Sequence, residues 1–381
     1  MSSKITYLIP FEGRTDKSDP DDILKAYDHL INSTPGNFII TMLAEPFLWA
    51  DFSGWSKKII EEIEKKQHTV YFFINSSFNY DHLDADLRSK IFLIDFYISD
   101  AVFRYYYDKS VTSSNSWNSA STKGLLLSGK PDYYNRYQTV IHLDQVDRLK
   151  DFVYSFNGNT VSDLRDIKLF YPNNNDIIEK IKKLTNSLDI EYKDQHYSGY
   201  PFDINLYKNT VLSLIPEGVL DYHNDNLASM EELIKLEYYY SETDNPFITE
   251  KTYRAILNHH PFIILGLTNT LTYLESIGFK TFREYLKYPD YNEMKSLRDR
   301  IYYGVENSIH FLDTYAKNRD KINQDIIHNF NNLIKVAHQQ WNSVPLIRND
   351  NNLLFEIHVN CSFDLLSDNL KKISINTSIQ L

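Results

Sequence analysis

A chain of 381 residues with a formal net charge of -11 and a sequence pI near 5.6 is long enough for two domains with separate cores and too short for a large multidomain assembly. Its 42% hydrophobic and 24% charged residues match folded globular proteins and exclude disorder, collagen and coiled coil, while the acidic balance weighs against indiscriminate binding to polyanions. The single cysteine, Cys361, leaves no intramolecular disulfide framework and no Cys-rich zinc site, and no apolar run approaches the roughly 18 to 20 residues of a bilayer span, so a cytoplasmic protein without a membrane span is expected.

The chain opens on Ile5 to Ile9, a short apolar run that reads as a buried strand closed by Pro10. Asp21 to Ile31 has helical spacing through Ile23, Leu24, Tyr27, Leu30 and Ile31, and Asn37 to Leu43 reads as a second strand. Ser56 is expected to cap a helix that buries Ile59, Ile60 and Ile63 and ends near Lys65-Lys66, where cations suit a helix C-terminus. A third strand follows at Thr69 to Ile74. Strand and helix alternating at this spacing predict a parallel sheet covered by helices.

Ser110 to Thr122 is rich in Ser, Thr and Asn, lacks periodicity, and is the best linker in the sequence. Beyond it Gly124 to Leu127, Phe152 to Tyr154, Lys168 to Phe170 and Val211 to Ile215 read as strands, with helices over Asp176 to Ser187 and Glu250 to Asn258. Past Asp290 the chain turns helical, with Leu297, Ile301, Val305, Ile309 and Leu312 at spacings of three and four and the same character from Ile322 to Trp341. The expected organisation is two Rossmann-like α/β domains, over 1–112 and over 120–345, the second with trailing helices, and a tail over 346–381.

The segment from Asp244 to Gly266 carries the most chemistry. It reads as a loop, a Thr249 cap, a helix opening with Glu250 and Lys251, and a buried strand from Phe262 to Leu265. Exposed amides at a helix N-terminus favour an anion, and Lys251 adds positive charge where a phosphate would sit. Glu250 is placed to accept hydrogen bonds from paired ribose hydroxyls.

The run ITEKTYRAILNHHPFIILG, followed by TLTYLESIGFKTF, resembles the donor-binding half of GT-B glycosyltransferases of tailed phages and large viruses, and its ITEK core is similar to the nucleotide-sugar motif of the α1,3-fucosyltransferases. Two upstream blocks also resemble the phage pattern. One is Lys123 to Pro131 with Asn135-Arg136 and Tyr154-Ser155-Phe156; the other is Tyr207 with Leu212 to Glu217. Together the blocks cover roughly Lys123 to Phe282. The resemblance implies a GT-B fold, two Rossmann-like α/β domains facing a cleft with a helical C-terminal region. It implies that Glu250 binds the donor ribose, that Lys251 and Arg136 meet the diphosphate, and that Thr249, Lys130 and Glu217 belong to the same donor-binding set. Glu217 departs from the pattern because Pro216 precedes it where the family has a small or polar residue.

Cations at the diphosphate suit the chemistry, since the leaving nucleoside diphosphate gains negative charge as the glycosidic bond breaks. If transfer inverts the anomeric carbon, a base must remove the acceptor proton, and the resemblance implies that it comes from the N-terminal domain. Glu12 and Glu45, each just past a predicted strand, are the candidates, with Asp95 and Asp100 behind them. No tightly bound cofactor is expected, and a UDP-sugar is the favoured substrate.

Other patterns point away from alternative chemistries. Gly124 to Lys130 has P-loop spacing, but Pro131 stands where Ser or Thr would hold Mg²⁺, and the intervening leucines read as a strand. Asp84-Ala85-Asp86 is an isolated D-x-D, and His259-His260 reads as a packing feature at a loop. The 29 Tyr and 22 Phe against 11 Gly, with abundant Asn, Ile and Lys, match AT-rich coding DNA and hint at a phage, a virus or an AT-rich bacterium. The phage enzymes that the chain resembles include ones acting on 5-hydroxymethylcytosine in phage DNA, so the resemblance, with this compositional hint, implies duplex DNA carrying that base as the favoured acceptor, and Lys109, Lys123, Arg136, Arg298 and Arg300 are candidates for a basic rim. The alternatives are a glycan or lipopolysaccharide glycosyltransferase, for which Phe103 to Tyr107 and Glu237 to Tyr240 would offer stacking faces, and a non-catalytic nucleotide-binding virion protein.

Overall fold

The computed structural model describes residues 5–10, 20–42, 52–75, 83–95, 97–99, 101–102, 121–128, 134–156, 175–184, 204–217, 246 and 248–343. They form a mixed α/β protein with two four-stranded parallel sheets and a long C-terminal helix. The chain divides into two compact units. One is built on Met1–Ser99 and the chain from Ala337 onward, the other on Asp100–Lys193 and Pro201–Val336. No helix among the described residues is long and apolar enough to cross a membrane.

The first sheet contains β1 (Ile5–Pro10), β2 (Gly36–Met42), β3 (Thr69–Asn75) and β4 (Ile91–Ile94), paired in sequence order and all parallel. Phe38, Ile40, Val70, Phe72 and Ile74 alternate along β2 and β3 and enter one apolar cluster with Trp55. The intervening Ile39 and Phe73 are also fully buried, as befits a parallel sheet covered on both faces. His68 ties the start of this sheet together. Its Nδ1 accepts from Gly36 N at 3.0 Å, and its Nε2 donates to Ile31 O at 2.9 Å.

The helices correct the sequence expectation in two places. The helix expected over Asp21 to Ile31 is broken at Tyr27 into α1 (Pro20–Ala26) and α2 (Asp28–Ile31). Ser56 is not a cap: α3 (Phe52–Glu64) begins a turn earlier, and Ser56 lies buried inside it. The buried set of α3 extends back to Trp55, which packs near Phe72 with ring centroids 6.3 Å apart, so packing recruits a turn beyond the capping signal. Between β3 and β4 lies α4 (Ala85–Ser89); the sequence reading anticipated neither α4 nor β4. Asp84 caps α4 by accepting from Leu87 N at 2.9 Å and pairs with Lys57 at 2.7 Å, which accounts for the first acid of the D-x-D locally.

The second sheet has β5 (Gly124–Ser128), β6 (Phe152–Phe156), β7 (Leu212–Pro216) and β8 (Phe262–Leu265) in the order β6-β5-β7-β8, all parallel. The described helices around it are α5 (Tyr134–Gln145), α6 (Asn175–Lys183), α7 (Ile204–Lys208), α8 (Glu250–Leu257) and α9 (Thr270–Ser276). Gly124 to Ser128 is strand, as its leucines suggest, rather than a phosphate-cradling loop. The strand expected at Lys168 to Phe170, the linker stretch from Ser110 to Ala120 and the tail over 346–381 lie outside the described residues.

The helix α10 (Leu297–Ser343) unites the two helical stretches read past Asp290 into one element of 47 residues. Leu297, Ile301 and Val305 form its buried stripe. Gly304 sits where a Cβ would come within 2.2 Å of Leu265 Cδ2 and 3.1 Å of Tyr291 Cε2, so glycine lets this helix approach the end of β8 without displacing those side chains. The edge of β8 is closed by Tyr291, whose hydroxyl accepts from Ile264 N at 3.1 Å and donates to Ile264 O at 2.8 Å. From Ala337 the helix belongs to the first unit, where Trp341 Nε1 donates to Ser99 Oγ at 2.5 Å.

Candidate functional site

Strand order locates the site. From β5 the chain passes to β6 on one side, then returns to place β7 on the other side of β5 and continues outward to β8. Right-handed crossovers therefore send the helices after β5 and β7 to opposite faces, and a crevice opens above the carboxyl ends of these two strands. Ser128 ends β5, Glu217 directly follows β7, and Asn135 and Arg136 lie in the first turn of α5.

A buried polar knot joins these ends. Asn135 Nδ2 donates to Glu217 O at 2.5 Å and to Leu265 O at 2.9 Å, bridging α5 to the ends of β7 and β8. The Glu217 side chain is fully buried. Its Oε1 accepts from Thr249 N at 3.1 Å and from Thr252 Oγ1 at 2.6 Å, and its Oε2 accepts from Thr249 Oγ1. Both carboxylate oxygens are thus committed to the start of α8, and Glu217 holds that helix against the strand ends. Gly266 fits this junction because a Cβ there would lie 3.2 Å from Glu217 Cβ.

The N-terminus of α8 is shaped by its own sequence. Thr249 takes an extended backbone and accepts from Lys251 N at 3.4 Å, so the helix starts at Glu250. Lys251 Nζ donates to Glu250 Oε1 at 2.9 Å and to Thr249 Oγ1 at 3.1 Å. Burial pushes the Glu250 carboxyl up, but the charges of Lys251 and Arg254 outweigh it and hold the pKa down at about 2. Glu250 is therefore a fixed anion next to an ammonium group and a helix N-terminus. Such a surface can accept hydrogen bonds from hydroxyls and offer positive charge to an anion within a few ångströms.

Of the residues singled out in the sequence, Arg136, Glu217, Thr249, Glu250 and Lys251 all lie at the carboxyl-end side of the second sheet or at the helix starts that follow its strands. Arg136 is 8% exposed. Glu12, Glu45 and Lys130 lie outside the described residues, as do Lys109, Asp100 and both tyrosine-rich stretches. Asp95 is buried and accepts from Ile98 N at 3.1 Å, a local turn contact. Arg300 does not belong to a basic rim. It is 1% exposed and spends its guanidinium on Gly266 O, Met294 O and Lys295 O at 3.0, 2.6 and 2.7 Å.

The two histidines pack. His259 takes a left-handed backbone with φ 54° and stacks on Phe330 at 4.2 Å. His260 is buried, its Nδ1 2.6 Å from Ser213 Oγ and its Nε2 3.3 Å from Thr210 Oγ1, and burial lowers its pKa to about 4 against a weaker opposing hydrogen bond to the Thr210 backbone. Among the described residues no group of His, Cys, Asp and Glu could hold a metal ion. The sequence reading missed Thr252 and Ser128 and quoted Asn135 only as half of an Asn-Arg pair. Thr252 stands three residues after the Thr249 cap, on the face that meets Glu217, and that spacing was the available signal. No protein-family model, no curated protein and no solved structure matches the chain.

Proposed function

We propose that the protein is a GT-B-type glycosyltransferase that binds a nucleoside-diphosphate sugar, with a UDP-sugar favoured, at the carboxyl ends of β5 and β7. The observation that carries this reading is the α8 N-terminus beside the strand-order reversal, where an ionised Glu250, Lys251 and the first-turn amides stand together. Glu250 accepts the donor ribose hydroxyls, and Lys251, turning from Glu250 toward the ligand, joins Arg136 at the diphosphate. In the reaction the acceptor hydroxyl loses its proton to a carboxylate base and its oxygen bonds to the anomeric carbon. The bond from that carbon to the β-phosphate oxygen breaks, and the nucleoside diphosphate leaves with the electron pair, its new charge met by Lys251 and Arg136. Glu12 and Glu45 are proposed for the base.

The favoured acceptor is 5-hydroxymethylcytosine in duplex DNA, on the strength of the sequence resemblance and composition. A mass-spectrometric assay of the purified protein with UDP- and GDP-sugars and 5-hydroxymethylcytosine DNA tests both halves. A sugar-sized mass gain on the modified base is expected. Donor hydrolysis without DNA modification would move the acceptor to a glycan or protein, and absence of donor binding and consumption would overturn the enzyme reading in favour of a non-catalytic role.

A further inference from the structure

Two buried polar atoms, one on the last residue of β5 and one in the first turn of α5, are left unused by the fold itself. Ser128 is 1% exposed and Asn135 is 0% exposed, and among the described residues neither Ser128 Oγ nor Asn135 Oδ1 has a hydrogen-bond partner. Buried polar atoms are almost always paired, with protein, water or a ligand, so Ser128 as the last residue of β5 and Asn135 in the first turn of α5 are each a place for a polar partner. Their chemistry narrows what that is. The Asn135 amide is oriented without ambiguity, because both contacts of its Nδ2 are carbonyl oxygens, Glu217 O and Leu265 O, which only accept. Its Oδ1 is therefore an acceptor and repels an anionic oxygen. Ser128 Oγ both donates and accepts.

An acceptor and an amphoteric hydroxyl each suit a neutral ligand hydroxyl, which also donates and accepts, and the acceptor does not suit a phosphate. Phosphate charge is served nearby by Lys251 and the amides of α8, and the knot ties the two places together: Asn135 bonds Glu217 O, and the Glu217 carboxylate holds Thr249 and Thr252 at the start of α8. We infer that Ser128 Oγ and Asn135 Oδ1 bind hydroxyl groups of the sugar carried by the diphosphate, and so contribute to the discrimination between a sugar-loaded and a bare nucleotide. This rests on the nucleotide-sugar reading and deepens it by assigning the sugar side of the site.

Ser128→Ala is the direct test, since it deletes an atom with no protein partner among the described residues and leaves the Asn135 bridge intact. Calorimetric titration of the full chain with UDP-glucose and with UDP should show UDP-glucose binding weakened about tenfold in Ser128→Ala, the loss of roughly one hydrogen bond, with UDP affinity unchanged. Asn135→Ala should weaken UDP-glucose more than UDP in the same direction. Wild-type binding of UDP-glucose with no change in Ser128→Ala would overturn the hydroxyl assignment alone, as would an equal loss for UDP and UDP-glucose. Wild-type protein that binds neither probe would instead bring down the nucleotide-sugar reading, and this inference with it.

Discussion

The two parallel sheets use the same kind of strand to different ends. In the first, β1 to β4 lie in chain order, and the cluster on one face of β2 and β3 is apolar and aromatic. In the second the order reverses between β5 and β7, and the buried set around the strand ends includes Asn135, Glu217, Thr249, Thr252 and Arg300. A sheet that always steps in one direction keeps its crossovers on one face, whereas a reversal splits them and leaves strand ends open between diverging helices. Polar groups buried at such a place cost stability unless each is satisfied, and the second sheet satisfies most of them with side chains from distant segments. Packing dominates the first sheet; the second couples packing to a polar crevice.

Substitutions should separate the two. The largest effect is expected from Phe72→Ala in the first sheet, about 3–5 kcal/mol of stability by denaturant unfolding, with UDP-sugar affinity unaltered under conditions where the protein stays folded. A comparable loss of affinity would mean that the first core and the crevice are not separable.

Acidification should act on the second sheet through His260. Buried neutral in the fold with a pKa near 4, it takes up a proton on unfolding below its ordinary 6.5, so stability is complete above pH 6.5 and falls as the pH drops toward 4. The total loss from this group is about 3 kcal/mol. His260→Gln should flatten the stability profile in that window, and a slope as steep as wild type would show that another group is responsible. Glu250, held at about 2, should remain ionised throughout and leave nucleotide affinity flat across the same range.

Lys251→Ala is the mirror of Phe72→Ala. Donor turnover should fall about 100-fold or more, the usual cost of losing one preorganised charge at a leaving group, while the loss of stability stays smaller than in Phe72→Ala and comes from Glu250 losing its ion-pair partner. Full turnover in the variant would remove Lys251 from the diphosphate site. The smallest effect is expected from Glu217→Gln, which keeps the shape but loses one of two acceptor oxygens facing Thr249 and Thr252. About 1–3 kcal/mol of stability should go, and UDP affinity should weaken with it because the start of α8 is no longer held. A stability loss with no change in UDP affinity would separate the knot from the ligand site.

Much of this architecture is legible locally. The apolar runs at Ile5, Asn37, Thr69, Gly124, Phe152, Val211 and Phe262 become β1 to β3 and β5 to β8, and the Thr249 cap sets the start of α8 where its spacing indicates. The misses have physical causes. Ile91 to Ile94 is a four-residue apolar run, too short to carry a period. Ser56 has the side chain of a cap, yet Trp55 packing draws the helix past it. Arg300 looks like a surface cation, but the carbonyls at Gly266, Met294 and Lys295 give it a buried place that no neighbouring residue announces.

Element type and the Thr249-Glu250-Lys251 start of α8 follow from residues within one or two turns of each other, which is the range over which periodicity and capping act. Strand order does not. The reversal between β5 and β7, the bridge from Asn135 to Leu265 across 130 residues, and the hold of Glu217 on Thr252 across 35 exist only once the second sheet is assembled. Glu217 is one more acid at a strand end when read along the chain. Its commitment to α8 arises because a buried carboxylate must find donors, and the folded chain brings two threonines and a backbone amide to it.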